Sequence, residues 1–273
     1  MRYLSVLGPA GTFTDMAADL YLQRTQKQLS KLYFSSITKS LLAVNNETIS
    51  VAPVENLIDG FIGPTLDFLE LHKAVVIDEL IIPVNHCLAS KHVALSKIKK
   101  VYVQFSTHQQ CKNFLEDLAV LLIINTESNI ISAEKASADP DSAAIIPIHA
   151  AETFGLKVLK ESIQDFPNNK TRFIVVANKA VPELQPAVFY KTSLLIGVQD
   201  KPGSLRDILS AFADRKINMT SIMSRPTKGK LGQYHFFIDI EGHQLHESVQ
   251  QALNSIKKHN SVKLLGSYPE ALQ

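Results

Sequence analysis

The segment NNKTRFIVVA, residues 168–177, opens with two asparagines and a lysine and closes as an apolar, β-branched run. Such a run reads as a buried strand entered from a polar loop. The chain follows different rules on either side of it. Upstream, short apolar strands alternate with helix-periodic stretches. YLSVLG (3–8) is a strand ended by Gly8-Pro9. Phe13, Met16, Ala17 and Leu20 then share one helical face, with Thr12 or Thr14 as cap. The same reading gives helix over 36–46, strand over ISVAPVEN (49–56), helix over 63–72 and strand through much of 74–90. It continues with strand over 100–105, helix from about 106 to 118, strand over 120–125, helix over 129–138, strand over 142–146 and helix over 147–155. This alternation predicts mostly parallel sheets built from βαβ crossovers.

Downstream, ANKAVPELQPAV (177–188) carries two prolines among polar residues and reads as a boundary. Beyond it comes a compact βαββαβ pattern. TSLLIGVQD, INMTSIMSRP, YHFFIDIEG and SVKLLGSYP are its strands. One helix places Leu205, Ile208, Leu209 and Phe212 on a face, the other Val249, Ala252, Leu253 and Ile256. That order is ferredoxin-like.

The 273 residues are 45% hydrophobic and 20% charged, enough for full cores. A net charge of +2 without a basic block argues against a nucleic-acid or anionic-membrane surface. Cys87 and Cys111 cannot form a disulfide framework and point to a reducing compartment. The first residues read as a strand and not as a signal peptide, and no apolar run approaches 18 residues. A cytoplasmic α/β protein is expected.

Four stretches carry candidate chemistry, each with a plain alternative. GPAGTFT (8–14) is either an anion-binding turn at a helix N-terminus or an ordinary tight turn. Glu55 and Asn56 end a strand, where open α/β sheets bind ligands, yet from the sequence alone loop polarity is the preferred reading. Thr171 is either a hydroxyl that helps a leaving group or a polar residue at a strand entrance. Arg172 either binds a carboxylate or pairs with a buried acid. No HExxH, Cys-x-x-Cys or His-rich cluster supports a metal, and no cofactor is expected. His243 and His246 read as a solvated pair, His108 points in no determined direction, and the cysteines read as core residues.

GPAGTF, PVEN (53–56) and NKTRF (169–173), in this order and spacing, resemble the prephenate dehydratase family. PGSLRDIL and INMTSIMSRP resemble the two ligand loops of its ACT module. The resemblance spans about residues 2–268. It implies a two-lobed, periplasmic-binding-protein-like catalytic domain over 1–180. Lobe one would take about 1–80 plus 160–180, and lobe two 81–159. A linker over 181–190 and an ACT domain over 191–273 would follow. It implies conversion of prephenate to phenylpyruvate, with Thr171 assisting departure of the hydroxyl. Gly11, Thr12, Phe13, Asn56, Ser128, Arg172 and Phe173 would contact substrate. Phenylalanine would bind Gly203, Ser204, Leu205, Asn218, Ser224, Arg225 and Pro226 between paired modules, in a homodimer or homotetramer.

The pattern departs from the family in places. Val103, Gln104, Phe105 and Ser106 stand where it typically has Ser-His-Pro-Gln. Leu57 replaces a Ser or Thr, Ser128-Asn129 a Ser-Thr pair, and Met223 a Glu. Each donor lost to a buried charged substrate costs ~1.5–3 kcal/mol. Two further readings therefore accompany the enzyme: a binding or regulatory protein with a dehydratase-like cleft, and an enzyme with a shifted cyclohexadienyl substrate.

Overall fold

The computed structural model describes residues 1–91, 94–118, 122–179, 189–198, 201–227 and 234–271. The first lobe begins with β1 (Tyr3–Leu7), α1 (Phe13–Thr25), β2 (Ser30–Phe34), α2 (Ile37–Leu42) and β3 (Thr48–Asn56). The short β4 (Gly60–Phe61), α3 (Gly63–Leu71) and β5 (Val75–Pro83) follow. Thr12 is the cap of α1, its hydroxyl accepting from the Asp15 amide. The second lobe holds β6 (His86–Ser90), β7 (Lys100–Gln104), α4 (Phe105–Gln110), α5 (Lys112–Asp117) and β8 (Leu122–Thr126). It ends with α6 (Asn129–Ala138), β9 (Ser142–Pro147), α7 (Ile148–Thr153) and β10 (Lys157–Lys160). The helix expected over 106–118 is thus two pieces meeting at the buried Cys111, whose backbone leaves the helical region. The chain then returns to the first lobe as β11 (Lys170–Ala177).

Lobe one orders its strands β2-β1-β3-β11-β5, and lobe two β10-β6-β9-β7-β8. The sheets are mixed, which corrects the expectation of mostly parallel ones. β1 is parallel to β2 and β3, but β11 runs antiparallel to both neighbours, and β6 to both of its own. The returning strand, re-entering its sheet from the opposite lobe, supplies two antiparallel pairs of lobe one, and the short β4 supplies a third against β3.

The C-terminal unit is β12 (Tyr190–Val198), α8 (Ser204–Ala213), β13 (Met219–Pro226), β14 (Tyr234–Glu241), α9 (Glu247–Lys257) and β15 (Ser261–Pro269). Its order β13-β14-β12-β15 is the expected ferredoxin-like one. The helices cover one face through Ile208, Phe212, Val249 and Ile256. The other face packs on lobe one, where Leu195, Phe237, Leu265 and Tyr268 share a core with Val54, Leu66, Val76 and Ile174. Most of the linker expected over 181–190 lies outside the described residues. Among those described, no helix is long and apolar enough to cross a membrane.

Side chains alternate along β11 with the period of a strand. Phe173, Val175 and Ala177 join the core beneath α1, with Leu4, Val6 and Tyr21. Ile174 and Val176 join the core shared with the C-terminal sheet. The two sheets approach closely at Gly266, whose φ is +152° and where a Cβ would overlap the Val76 carbonyl. Gly266→Ala is expected to destabilise the protein by about 1–3 kcal/mol. Urea unfolding checks this, and an unchanged midpoint would show that the sheets separate without cost.

The C-terminal unit also grips α3 by charge. Lys263 donates to the carbonyls of Leu69, Glu70 and His72 at 2.7–2.9 Å, where a helix end favours a cation. Arg225 pairs with Asp67 at 2.8 Å, and His235 meets Glu70 at 3.0 Å.

Candidate active site

β3 and β11 lie side by side with Asn56 opposite Thr171 and Glu55 opposite Arg172. Asn56 is buried, and its Nδ2 donates to Thr171 Oγ1 at 2.9 Å and to Asn169 Oδ1 at 3.0 Å. Its Oδ1 accepts the amides of Ile58 and Asp59, each at 3.0 Å. Those backbone donors leave only one orientation for the Asn56 amide. Thr171 Oγ1 therefore accepts, and its own proton remains available to donate.

Lobe two reaches this pair through Gln110. Asn169 Nδ2 donates to Gln110 Oε1 at 3.4 Å, and Gln110 Nε2 donates to Asp59 Oδ2 at 3.1 Å. His86 Nε2 lies 3.3 Å from the same Oε1. Since that oxygen only accepts, His86 carries its proton on Nε2. Burial holds its pKa down to about 4, partly opposed by the Gln110 bond, so the ring is neutral at pH 7.

A buried neutral histidine makes stability depend on pH. The folded pKa lies below the ordinary 6.5, so the unfolded chain binds the proton more readily. This contribution is complete above pH 6.5 and is lost as pH falls from 6.5 towards 4. It amounts to roughly 3 kcal/mol. We expect denaturant unfolding to show that loss, and His86→Gln to flatten it. An identical pH slope in the variant would contradict the assignment.

The Gly8–Thr14 turn closes on lobe two. Gly11, at φ +86°, sits against Ile130, and its carbonyl accepts from His149 Nε2 at 2.6 Å. Phe13 meets the rings of His86 and His149 edge-on. The turn is not an open anion cradle, because the Gly11 amide donates to Asp15 Oδ2 at 2.9 Å. Burial raises the Asp15 pKa, but bonds from Lys31 and Tyr33 outweigh it, so Asp15 stays ionised at the α1 terminus. The Thr12 hydroxyl caps α1 and donates to the Leu7 carbonyl, so both its roles are filled. Ser128 likewise caps α6 by accepting the Ile131 amide. The Thr12 hydroxyl is thereby committed to its helix end, whereas Ser128 Oγ only accepts.

Arg172 and Phe173 are not brought to the Thr171 hydroxyl. Phe173 is 1% exposed within the core beneath α1. Arg172 leaves the opposite face of β11 and bonds Glu55 at 3.2 Å, Asp239 at 2.6 Å and Tyr268 at 3.3 Å. Its Nε is 3.0 Å from Glu79 Oε2, in ion-pair contact but off the hydrogen-bond direction. Burial pulls its pKa down, yet Asp239, Tyr268 and Glu79 together outweigh this and Arg172 is firmly protonated. The buried-acid alternative is the one realised.

Val103 lies wholly inside lobe two, while Phe105 is 63% exposed. Polar groups remain on that wall all the same. Gln104 caps α4, and the buried Thr107 donates to Asn129 at 2.8 Å, beside Ser128. Reasoning from sequence missed Asn169, Gln110, His86, Asp59 and Thr107. Asn169 lies within the quoted stretch, and Gln110 was visible only as the residue before Cys111. His108 bonds Asn125 at 2.9 Å. His243 is buried against Tyr190, which corrects the expectation of a solvated pair with His246. No group of three metal-ligating side chains occurs among the described residues. Burial pushes both cysteine thiols up to about 12, which removes them as nucleophiles at neutral pH.

In the C-terminal unit Gly203, at φ +87°, precedes α8. Ser224, Arg225 and Pro226 end β13 on the side where β12 also ends, since Pro226 and Val198 both face Tyr234. Asn218 precedes β13 at the far end and donates to Glu241. One protomer therefore separates Asn218 from the other expected effector residues by a strand of eight residues, roughly 25 Å. Met223 packs against the core shared with lobe one.

Residues 4–181 match the family model for prephenate dehydratase, and residues 192–258 that for the ACT domain. The chain is 37% identical to the bifunctional chorismate mutase/prephenate dehydratase of Aquifex aeolicus, over 98% of this chain and 74% of that one. It is 34% identical to the prephenate dehydratase of Methanocaldococcus jannaschii, over 96% of each. The crystal structure of prephenate dehydratase in complex with L-Phe from Arthrobacter aurescens superposes with a TM-score of 0.83 at 32% identity, covering 99% of this chain and 90% of that one. The Thr171–Asn56 pair between two α/β lobes and the ferredoxin-like unit behind them thus accompany a match along nearly the whole chain, which belongs to the prephenate dehydratase family.

Proposed function

We propose that this chain converts prephenate to phenylpyruvate in phenylalanine biosynthesis, with Thr171 as the catalytic residue. The observation that carries the proposal is the Asn56–Thr171 bond, which makes Thr171 an acceptor from the protein and leaves its proton for the substrate. In this reaction the bond to the ring carboxylate breaks to release carbon dioxide. Its electron pair enters the ring, and the ring hydroxyl leaves with the C–O pair, taking up a proton to become water. Aromatisation drives the step. The protein has to hold a dianion and stabilise the departing oxygen, for which a fixed hydroxyl donor suffices. Gly11, Phe13, Asn56 and the α6 terminus at Ser128 form the surrounding wall. The polar groups at Gln104, Thr107 and Asn129 favour this reading over a cleft that only binds or takes a more apolar substrate.

The catalytic domain is taken as 1–180 and the ACT domain as 191–273, joined by 181–190. Phenylalanine would bind at the Gly203–Leu205 turn and Ser224–Pro226. A groove of about 700 Å³ lies beside Ser204, between α8 and the end of α9, lined by Lys201, Pro202, Ser204 and His259 among others, and does not reach Ser224–Pro226. Asn218 would come from the partner module, since one chain holds it at the opposite end. This requires at least a dimer, in the cytoplasm. Purified protein with prephenate should release phenylpyruvate, and L-phenylalanine should inhibit that release. Calorimetry showing no phenylalanine binding at millimolar concentration would remove the regulatory part alone.

A further inference from the structure

His149 ties the two lobes together at a distance from the crossovers that join them. It stands on α7 of lobe two, and its Nε2 lies 2.6 Å from the carbonyl oxygen of Gly11 in the turn that follows β1 of lobe one. A backbone carbonyl only accepts, so the ring is the donor and the direction of the bond is fixed. We propose that His149 is a positioning residue for the dehydratase reaction, a latch that holds the lobes closed around the site. The kinetic part of the inference rests on the dehydratase reading.

The chain crosses between the lobes twice, from β5 to β6 and from β10 to β11, and β5 and β11 are neighbours at one edge of the first sheet. Gln110 meets Asn169 and His86, which lie at the ends of those crossovers, so these contacts stay close when the lobes rotate about them. Gly11 follows β1, which stands two strands beyond β11, about 10 Å away by strand spacing. Rotation is amplified at that distance, and an opening of ~1 Å takes the bond past hydrogen-bonding length. The bond therefore exists only with the cleft closed. Both sides are built to meet. The Gly11 amide is held by Asp15, and Phe13 lies edge-on to the His149 ring, so the carbonyl is presented in place. Burial lowers the His149 pKa, and the Gly11 carbonyl, the Asp15 charge and the Thr12 backbone oppose it. Lobe one thus turns acceptors and negative charge towards this donor. Substrate that touches both walls holds the lobes together by itself. The latch therefore raises the closed fraction of the free protein, and its loss lowers apparent affinity more than the rate of the bound complex.

Two variants of the full chain test it. His149→Met removes the donor and keeps an apolar side chain in place, and His149→Gln keeps an N–H donor at similar reach. In His149→Met we expect KM for prephenate to rise about five- to tenfold with kcat within about threefold, as for the loss of one partly buried hydrogen bond. Hydrogen exchange of the free protein should quicken by about threefold or more over residues 8–14 and 147–153, one stretch from each lobe. In His149→Gln both readouts should return to within about twofold of the unmutated chain. A side chain that merely packs would lower the melting temperature without this split between KM and kcat and without rescue by glutamine. The inference is overturned if His149→Met keeps KM within about twofold, if its exchange over residues 8–14 is unchanged, or if His149→Gln is no better than His149→Met. If the unmutated protein does not turn over prephenate, the functional reading has failed instead, and the exchange of the two variants alone decides the latch.

Discussion

Thr171→Ala is expected to lower kcat by about 10²–10³-fold while KM stays within threefold. The hydroxyl acts on a bond that is breaking, so its contribution appears in the transition state and not in substrate binding. Removing one preorganised donor from a water-excluded site has an effect of that order. The fold should survive. Thr171 is 8% exposed and lies between well-paired strands, and Asn56 Nδ2 keeps its bond to Asn169. The stability cost should be about 1 kcal/mol. Thr171→Ser retains the hydroxyl and should recover most of the activity, losing only the methyl that restricts its rotamer. Steady-state kinetics with a thermal melt on each variant separates the two effects. A Thr171→Ala enzyme within tenfold of the unmutated rate would remove Thr171 from the chemistry.

The second large effect concerns Arg172. Arg172→Met should destabilise the folded protein by on the order of 3–5 kcal/mol, because it leaves buried acids without their cation. Glu79 is fully buried and would keep Lys191 at 2.8 Å and the Ala271 amide at 2.9 Å, both on Oε1. Asp239, held also by the Ser193 hydroxyl, would lose its only cationic partner among the described residues. In a protein of this size the melting temperature should drop by roughly 6–15 °C. Arg172→Lys should recover less than half, since one ammonium cannot reach Glu55, Glu79 and Asp239 from a single position. Denaturant unfolding of the three proteins decides the matter. An Arg172→Met protein as stable as the parent would mean that the lobe and the C-terminal sheet do not depend on this contact. A large rise in KM with unchanged stability would instead restore Arg172 as a substrate ligand.

Thr171 and Arg172 show what a sequence carries and what it does not. The period of two along TRFIVVA was available from the start, and it places Thr171 and Arg172 on opposite faces. It did not say that the second face would be covered by another domain, because Asp239 and Tyr268 lie 67 and 96 residues away. The βαββαβ unit was legible throughout, since each element carries its own period and its turns are short. The mixed sheets of the two lobes were not. Strand direction depends on where β11 re-enters, and no local pattern records that. The amide chain was hidden for a similar reason. Asp59, Gln110 and Asn169 are ordinary surface-type residues in sequence, and only the closing of one lobe on the other gives them each other as partners.

The central claim is that this cleft turns over prephenate through Thr171. The most direct measurement is phenylpyruvate release from prephenate by the purified full chain beside its Thr171→Ala variant. Steady release by the first, with a loss of about a hundredfold or more in the second, is the predicted result. No release above the uncatalysed rate by the unmutated protein would contradict it.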